Sequence, residues 1–198
     1  MPLWGATDSD ESKPKNLTTA QKKQVFANAS GWVLEAGSAL SGNDNTDADP
    51  EVLVAIGELS TSIGAADITE VEMVTTTADK SEGFTISVRV RYNEPVNVVT
   101  TGGTPTLAVT NGNEGTGTGR GPHSLSYASG TGTNELIFSL AIAAANAATN
   151  ADDVLSVGAQ TIALNSGTMK DASGTASDAA LVISGALGTA AGTVTVTA

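Results

Sequence analysis

The clearest pattern along the chain is a run in which apolar and polar residues alternate. Phe84, Ile86, Val88, Val90 and Tyr92 fall on one side, with Thr85, Ser87, Arg89 and Arg91 on the other. A period of two is that of a half-buried β-strand. Ile68–Val74 alternates in the same way, and shorter apolar runs follow at 96–99, 106–109, 124–127, 135–142, 161–164, 181–184 and 193–197. Glycine-rich turns separate them, among them Thr101-Gly102-Gly103 and Ser129-Gly130-Thr131-Gly132. Many short strands with turn signals between them predict a mostly β chain folded as a sandwich.

Upstream of Ala66 the texture differs. Thr18 and Gln21 have the spacing of a capping box, so the residues from Thr18 to Asn28 predict one short helix. Strands are expected at Gly31–Glu35 and Pro50–Ile56, with the loop Ser41–Asp49 between them. Met1–Lys15 has no period, contains Pro2 and Pro14, and reads as an extended arm. The expected organisation is therefore an anchoring arm and small β module over 1–64, then a sandwich over 65–198. The alanine run 141–151 continues an alternating strand, so it is read as strand end and loop in spite of its helix propensity.

Composition narrows the function. With nine basic residues against twenty-one acidic and a net charge of −12, the chain suits neither a nucleic-acid backbone nor an anionic membrane. Aromatics are only 4%, so the core must be built from Val, Ile, Leu and Ala. There is no cysteine, which removes disulfides, thiolate metal sites and thiol catalysis. No stretch reaches the roughly 20 apolar residues of a membrane helix, and Met1–Lys15 lacks the apolar centre of a secretory signal.

Candidate chemistry is thin. The single histidine, His123, lies in a glycine-rich stretch and is expected to be a solvated loop residue. Asp44, Asp47 and Asp49 are spaced somewhat like a calcium loop but lack its glycine and distal glutamate, so a solvated loop is expected. Glu94-Pro95 and Asp171 are expected to fix turns. With no nucleophile–base pair and no metal cluster, no enzyme activity, no cofactor and no metal are expected.

Several phrases together resemble the immunoglobulin-like domains of large bacterial surface proteins. They are Tyr92–Val96, Gly103–Leu107, Tyr127–Thr133, Glu135–Phe138 and Ile162–Gly174, which stand in the family's order over about 66–184. Thr175 departs from the family, which often has Asn there, and 111–123 is an insertion expected to form a long exposed loop. A second resemblance covers Met1–Gly5, the acidic stretch with Lys13-Pro14-Lys15, and Gly31–Leu34. These are similar to small virion structural proteins of contractile-tailed marine phages.

Together the resemblances imply a capsid decoration protein at the surface of a virion. It would bind the major capsid protein or another virion protein through its N-terminal part and project the immunoglobulin-like domain outward. A neck or tail structural protein and a bacterial cell-surface adhesion module are the alternatives. Leu3, Trp4, Lys13, Lys15 and Trp32 are the expected partner-binding residues, with core packing the competing reading for Trp32. Strand 193–197 either closes a sheet or pairs with another copy, which leaves a homo-oligomer open. The change of texture near Gly64 predicts that a fragment of residues 66–198 unfolds cooperatively and is monomeric, as checked by urea denaturation and sedimentation. A fragment soluble only with residues 1–64 attached would contradict it.

Overall fold

A computed structural model of the chain describes residues 17–18, 21, 23–28, 31–48, 50–55, 65–112, 122–144, 149–172 and 176–198. The chain is mostly β and divides into two compact units, Met1–Ile63 and Gly64–Ala198.

The first unit holds a three-stranded antiparallel sheet in the order β1 (Val25–Asn28), β2 (Gly31–Leu34), β3 (Glu51–Ala55). The capping box is present, with Thr18 Oγ1 accepting from Gln21 N–H at 3.3 Å and Gln21 Oε1 from Thr18 N–H at 2.9 Å. The helix expected to run to Asn28 does not. Val25–Asn28 is a strand paired with β2, Val25 beside Leu34. Tertiary pairing overrides local propensity here, because Val25 and Phe26 are β-formers that bury completely or nearly so.

The second unit is built on β6 (Phe84–Val99), a strand of 16 residues. Its first part lies between β4 (Ile68–Met73) and β9 (Thr133–Ile142), and its last residues pair with β12 (Thr168–Asp171). From β9 the sheet continues through β8 (His123–Ser129), β7 (Thr106–Gly112), β10 (Val154–Ser156), β14 (Thr193–Thr197) and β5 (Ala78–Asp79). Two small strands, β11 (Gln160–Thr161) and β13 (Val182–Ile183), pair with each other. The helix α1 (Gly185–Ala190) follows, capped by Ser184 Oγ accepting from Leu187 N–H at 3.2 Å.

The sheet curls so that its two ends share one core. Ile86, Val88, Val90 and Tyr92 of β6, with Leu136 and Phe138 of β9, meet Leu107 and Val109 of β7, Leu155 of β10 and Val194 and Val196 of β14. The layers are thus β4-β6-β9-β8 and β7-β10-β14-β5, joined where β8 pairs with β7. At the edge of β7 the ladder is extended by a side chain. The Gln160 amide accepts from Ala108 N–H at 2.8 Å and donates to Ala108 C=O at 2.7 Å, as a strand residue would.

Three sequence expectations need correction. Glu94-Pro95 makes no turn, because both lie within β6, where the pairing with β9 shifts between Arg91 and Val96. A proline has no N–H to give, so a register irregularity suits it. Asp171 is the last residue of β12, paired with Val96, and is buried. The stretch 111–123 is an exposed loop at neither end. Asn111 and Gly112 belong to β7 and His123 opens β8, while the residues between Gly112 and Pro122 lie outside the described residues, as does Thr175.

The phrases Gly103–Leu107 and Ile162–Gly174 meet in space. Asn165 Nδ2 donates to Thr104 C=O at 2.9 Å and to Thr106 Oγ1 at 3.0 Å. A Cβ on Gly103 would stand 1.7 Å from Asn165 C=O, so only glycine fits that approach.

Tyr92 is fully buried, and its hydroxyl donates to Ala180 C=O at 2.9 Å. Burial pushes this phenol above its ordinary range. The folded chain therefore keeps the proton that the unfolded chain loses above about pH 10. The resulting stability is complete below that pH and falls as pH rises past it. Tyr92→Phe should cost about 1–2 kcal/mol near neutrality by stranding the Ala180 carbonyl. Its deficit should shrink above about pH 10. Urea midpoints from pH 8 to 11.5 check this, and a deficit that widens with alkali would contradict it.

Candidate functional site

Of the expected partner-binding residues, Leu3, Trp4, Lys13 and Lys15 lie outside the described residues. Trp32 is within them. It sits on β2, buried against Val25 and Leu34, with Leu17 packed alongside. Its ring completes a small core, the competing reading of that residue.

The acidic loop is ordered by its own side chains. Ser38 Oγ donates to Gln24 Oε1 at 2.7 Å, Asn45 N–H to Asn43 Oδ1 at 3.1 Å and Asp47 N–H to Asn45 Oδ1 at 3.0 Å. Such turns explain the Asn/Asp content without a ligand. Among the described residues no group of three His, Asp or Glu side chains is arranged to hold a metal ion, and Asp49 lies outside them.

His123 corrects its expectation as a solvated residue. It is buried, pairs with Val109 across the β7–β8 ladder, and has Nε2 3.0 Å from Thr149 Oγ1, which is buried too. Strand alternation turns His123 inward together with Leu125.

A shallow cleft lies at one end of the unit, lined by Lys80, Ser81, Ala144, Asn150, Ala151 and Ala198. Lys80 Nζ donates to Asn150 Oδ1 at 3.4 Å. At its rim the hydroxyl and the N–H of Ser81 donate to the Asp79 carboxylate, and these bonds hold its pKa below the usual carboxylate range.

Among the described residues, a group of linked ion pairs was not singled out in the sequence. The outward side of β4-β6-β9 carries a ladder of charge. Arg91 Nη1 meets Glu70 at 2.7 Å, and its Nε and Nη2 meet Glu135 Oε1 at 2.8 and 2.6 Å. Arg89 bridges Glu72 and Glu135 beside it. Strand register sets these pairs, since Glu70 stands opposite Arg91, Glu72 opposite Arg89, and Arg91 opposite Glu135. The signal was in the alternation itself. Glu70 and Glu72 share the period of Arg89 and Arg91, and like-spaced opposite charges on antiparallel neighbours pair when the register allows. Arg91 is 1% exposed, so its charge depends on both carboxylates.

The ladder pairs charges across β4, β6 and β9 within the unit. No family model, no curated protein and no solved structure matches the chain.

The ladder ranks its own substitutions. Arg91→Lys keeps the charge but gives up the planar fork, and should cost about 1–3 kcal/mol. Arg89→Lys, in the more solvated pairs, should cost less than about 1 kcal/mol. Urea denaturation of both variants checks the order, and an equal or reversed cost would contradict it.

Proposed function

We propose that the chain is a structural protein of a phage virion that decorates the capsid, its N-terminal part binding the major capsid protein or another virion protein. The C-terminal unit is an immunoglobulin-like domain standing outward from that attachment.

The observation that carries the immunoglobulin-like reading is strand order. Taking β4, β6, β9 and β8 as A, B, E and D, and β7, β10, β14 and β5 as C, F, G and A′, the neighbours fall in the order of an immunoglobulin sandwich. The contact between Gly103–Thr106 and Asn165 also gives two of the resembling phrases a shared structural purpose. A virion setting is supported by the N-terminal resemblance. It also suits a chain with no cysteine, whose stability rests on packing.

Attachment is assigned to the N-terminal part because the apolar residues Leu3 and Trp4 stand there in an otherwise polar segment. Lys13, Lys15, Lys22 and Lys23 concentrate basic charge beside an acidic remainder. These lysines can meet carboxylates of a partner locally, while outer domains of like charge repel one another. Ordering an arm costs backbone entropy, and a large aromatic ring carries more apolar area to offset it than any other side chain in the segment. Trp4 is thus a principal anchor.

Imaging of a particle containing this chain should show many copies on the shell lattice. A ring at one vertex would move the assignment to the neck or tail. Trp4→Ala should weaken attachment by about 2 kcal/mol or more, about thirtyfold in affinity. Deleting residues 1–15 should abolish it. Both variants should keep the urea midpoint of the C-terminal unit. Full attachment without residues 1–15 would overturn the assignment.

A further inference from the structure

The second layer of the C-terminal unit turns toward solvent a face that carries almost no charge. β7, β10 and β14 contain no Asp, Glu, Lys or Arg at any position, and neither does β8, which joins them to the first layer. Only β5, at the rim of the layer, brings a carboxylate, that of Asp79. Strand alternation sends Leu107, Val109, Leu155, Val194 and Val196 inward. Thr110, Ser156, Thr193 and Thr195 alternate with these and face outward. We propose that this face is where two copies of the chain meet, sheet against sheet, when they are crowded together. The inference stands on where the charges lie and does not depend on the virion reading.

Register makes the face regular and low in relief. Thr110 stands opposite Ser156, and Ser156 opposite Thr193, so three hydroxyl side chains form a row across three strands. Gly112, Val154 and Thr195 form the next row. Small side chains let two such faces stack closely, with the strands of one crossing those of the other at about 30°. The outward side of the first layer is different, since it carries Glu70, Glu72, Arg89, Arg91 and Glu135.

Charge identifies the occupant. Each copy has a net charge of −12, so two copies repel in most orientations. A basic partner would be drawn to carboxylates and gains nothing from a face without them. A partner of the same sign is the one that needs such a face. Depletion of charge is also what marks the centre of a protein interface. The edge of β14 offers no alternative route, because that strand is already paired with β10 on one side and β5 on the other. The second copy therefore meets the face and does not extend the sheet.

Size limits the strength of the contact. Four neighbouring strands span about 20 Å in each direction, roughly 400 Å² in plan. A stable interface needs roughly 800 Å² from each partner. β7, β10 and β14 also lack the aromatic side chains that anchor tight interfaces. The unit is thus monomeric in dilute solution, and the contact forms where copies are held side by side at high effective concentration.

Static light scattering of the full chain tests this through the second virial coefficient. At low salt the coefficient should be positive, as like charge dictates. At about 0.5 M salt, where charges are screened beyond roughly 4 Å, it should turn negative. Thr110→Lys and Thr195→Lys each move the net charge toward zero, which alone would weaken repulsion. Each should nevertheless return the coefficient at high salt to zero or above, because it places a cation at the centre of the contact. Thr85→Lys makes the same change of charge at an exposed position of β6 and should leave the coefficient negative. Unchanged urea midpoints show that the variants are folded, and the two face substitutions on different strands check each other. A coefficient that stays positive at high salt, or that the face and control substitutions move alike, would overturn the proposal.

Discussion

The C-terminal unit depends on one strand being buried on one face and paired on both edges over most of its length. Ile86, Val88, Val90 and Tyr92 of β6 are all sealed from solvent. Burying side chains of this size stabilises by roughly 1.5–3 kcal/mol each before entropy is counted. That burial fixes which way β6 faces, since a shift of one residue would invert it. Facing then fixes the neighbours. β4 and β12 take successive lengths of one edge, β9 takes the other, and the irregularity at Pro95 lies between the stretches held by β4 and β12.

The charge ladder follows from the same register. Turning the apolar residues of β6 inward turns Arg89 and Arg91 outward, directly opposite Glu72, Glu70 and Glu135. A buried ion pair is weak evidence of net stability, because desolvation offsets much of the attraction. Its stronger effect is on specificity. A one-residue slip between β4 and β6 would part the Arg91 guanidinium, which is 1% exposed, from Glu70 and leave it to Glu135 on β9, at a cost of roughly 3 kcal/mol or more. Apolar burial on one face and charge pairing on the other thus reject the same misalignments.

How much of this was legible depends on segment length. The long alternating runs at Phe84–Tyr92 and Glu135–Ile142 declared themselves, because five or more residues at period two have few other readings. β5, β10 and β12 are two to four residues long and carry too little pattern to stand out. β1 was hidden behind a genuine capping box. Thr18 and Gln21 form the expected capping box, but the helix expected to run to Asn28 gives way to β1, because local propensity does not say where tertiary pairing takes over. Pro95 misled for a similar reason, since a proline marks a turn or a strand irregularity and only the partners on either side distinguish the two. Buried His123 was obscured by the glycine-rich residues before it. The ladder's charges were visible in the sequence, but their pairing needed the register between strands far apart in the chain.

Topology links these observations to the way the chain ends. An antiparallel sheet of hairpins would leave its last strand on an outer edge, exposed to fraying and to pairing with other chains. Here the segment after β4 crosses to the opposite layer and supplies β5 beside β14. The crossing is short, from Met73 to Ala78, and Met73 N–H also bonds Ala191 C=O at 2.9 Å just before β14 begins. The early and late segments of the unit are therefore held to each other at both ends of β14. In a chain with no disulfide, this mutual cover closes the fold.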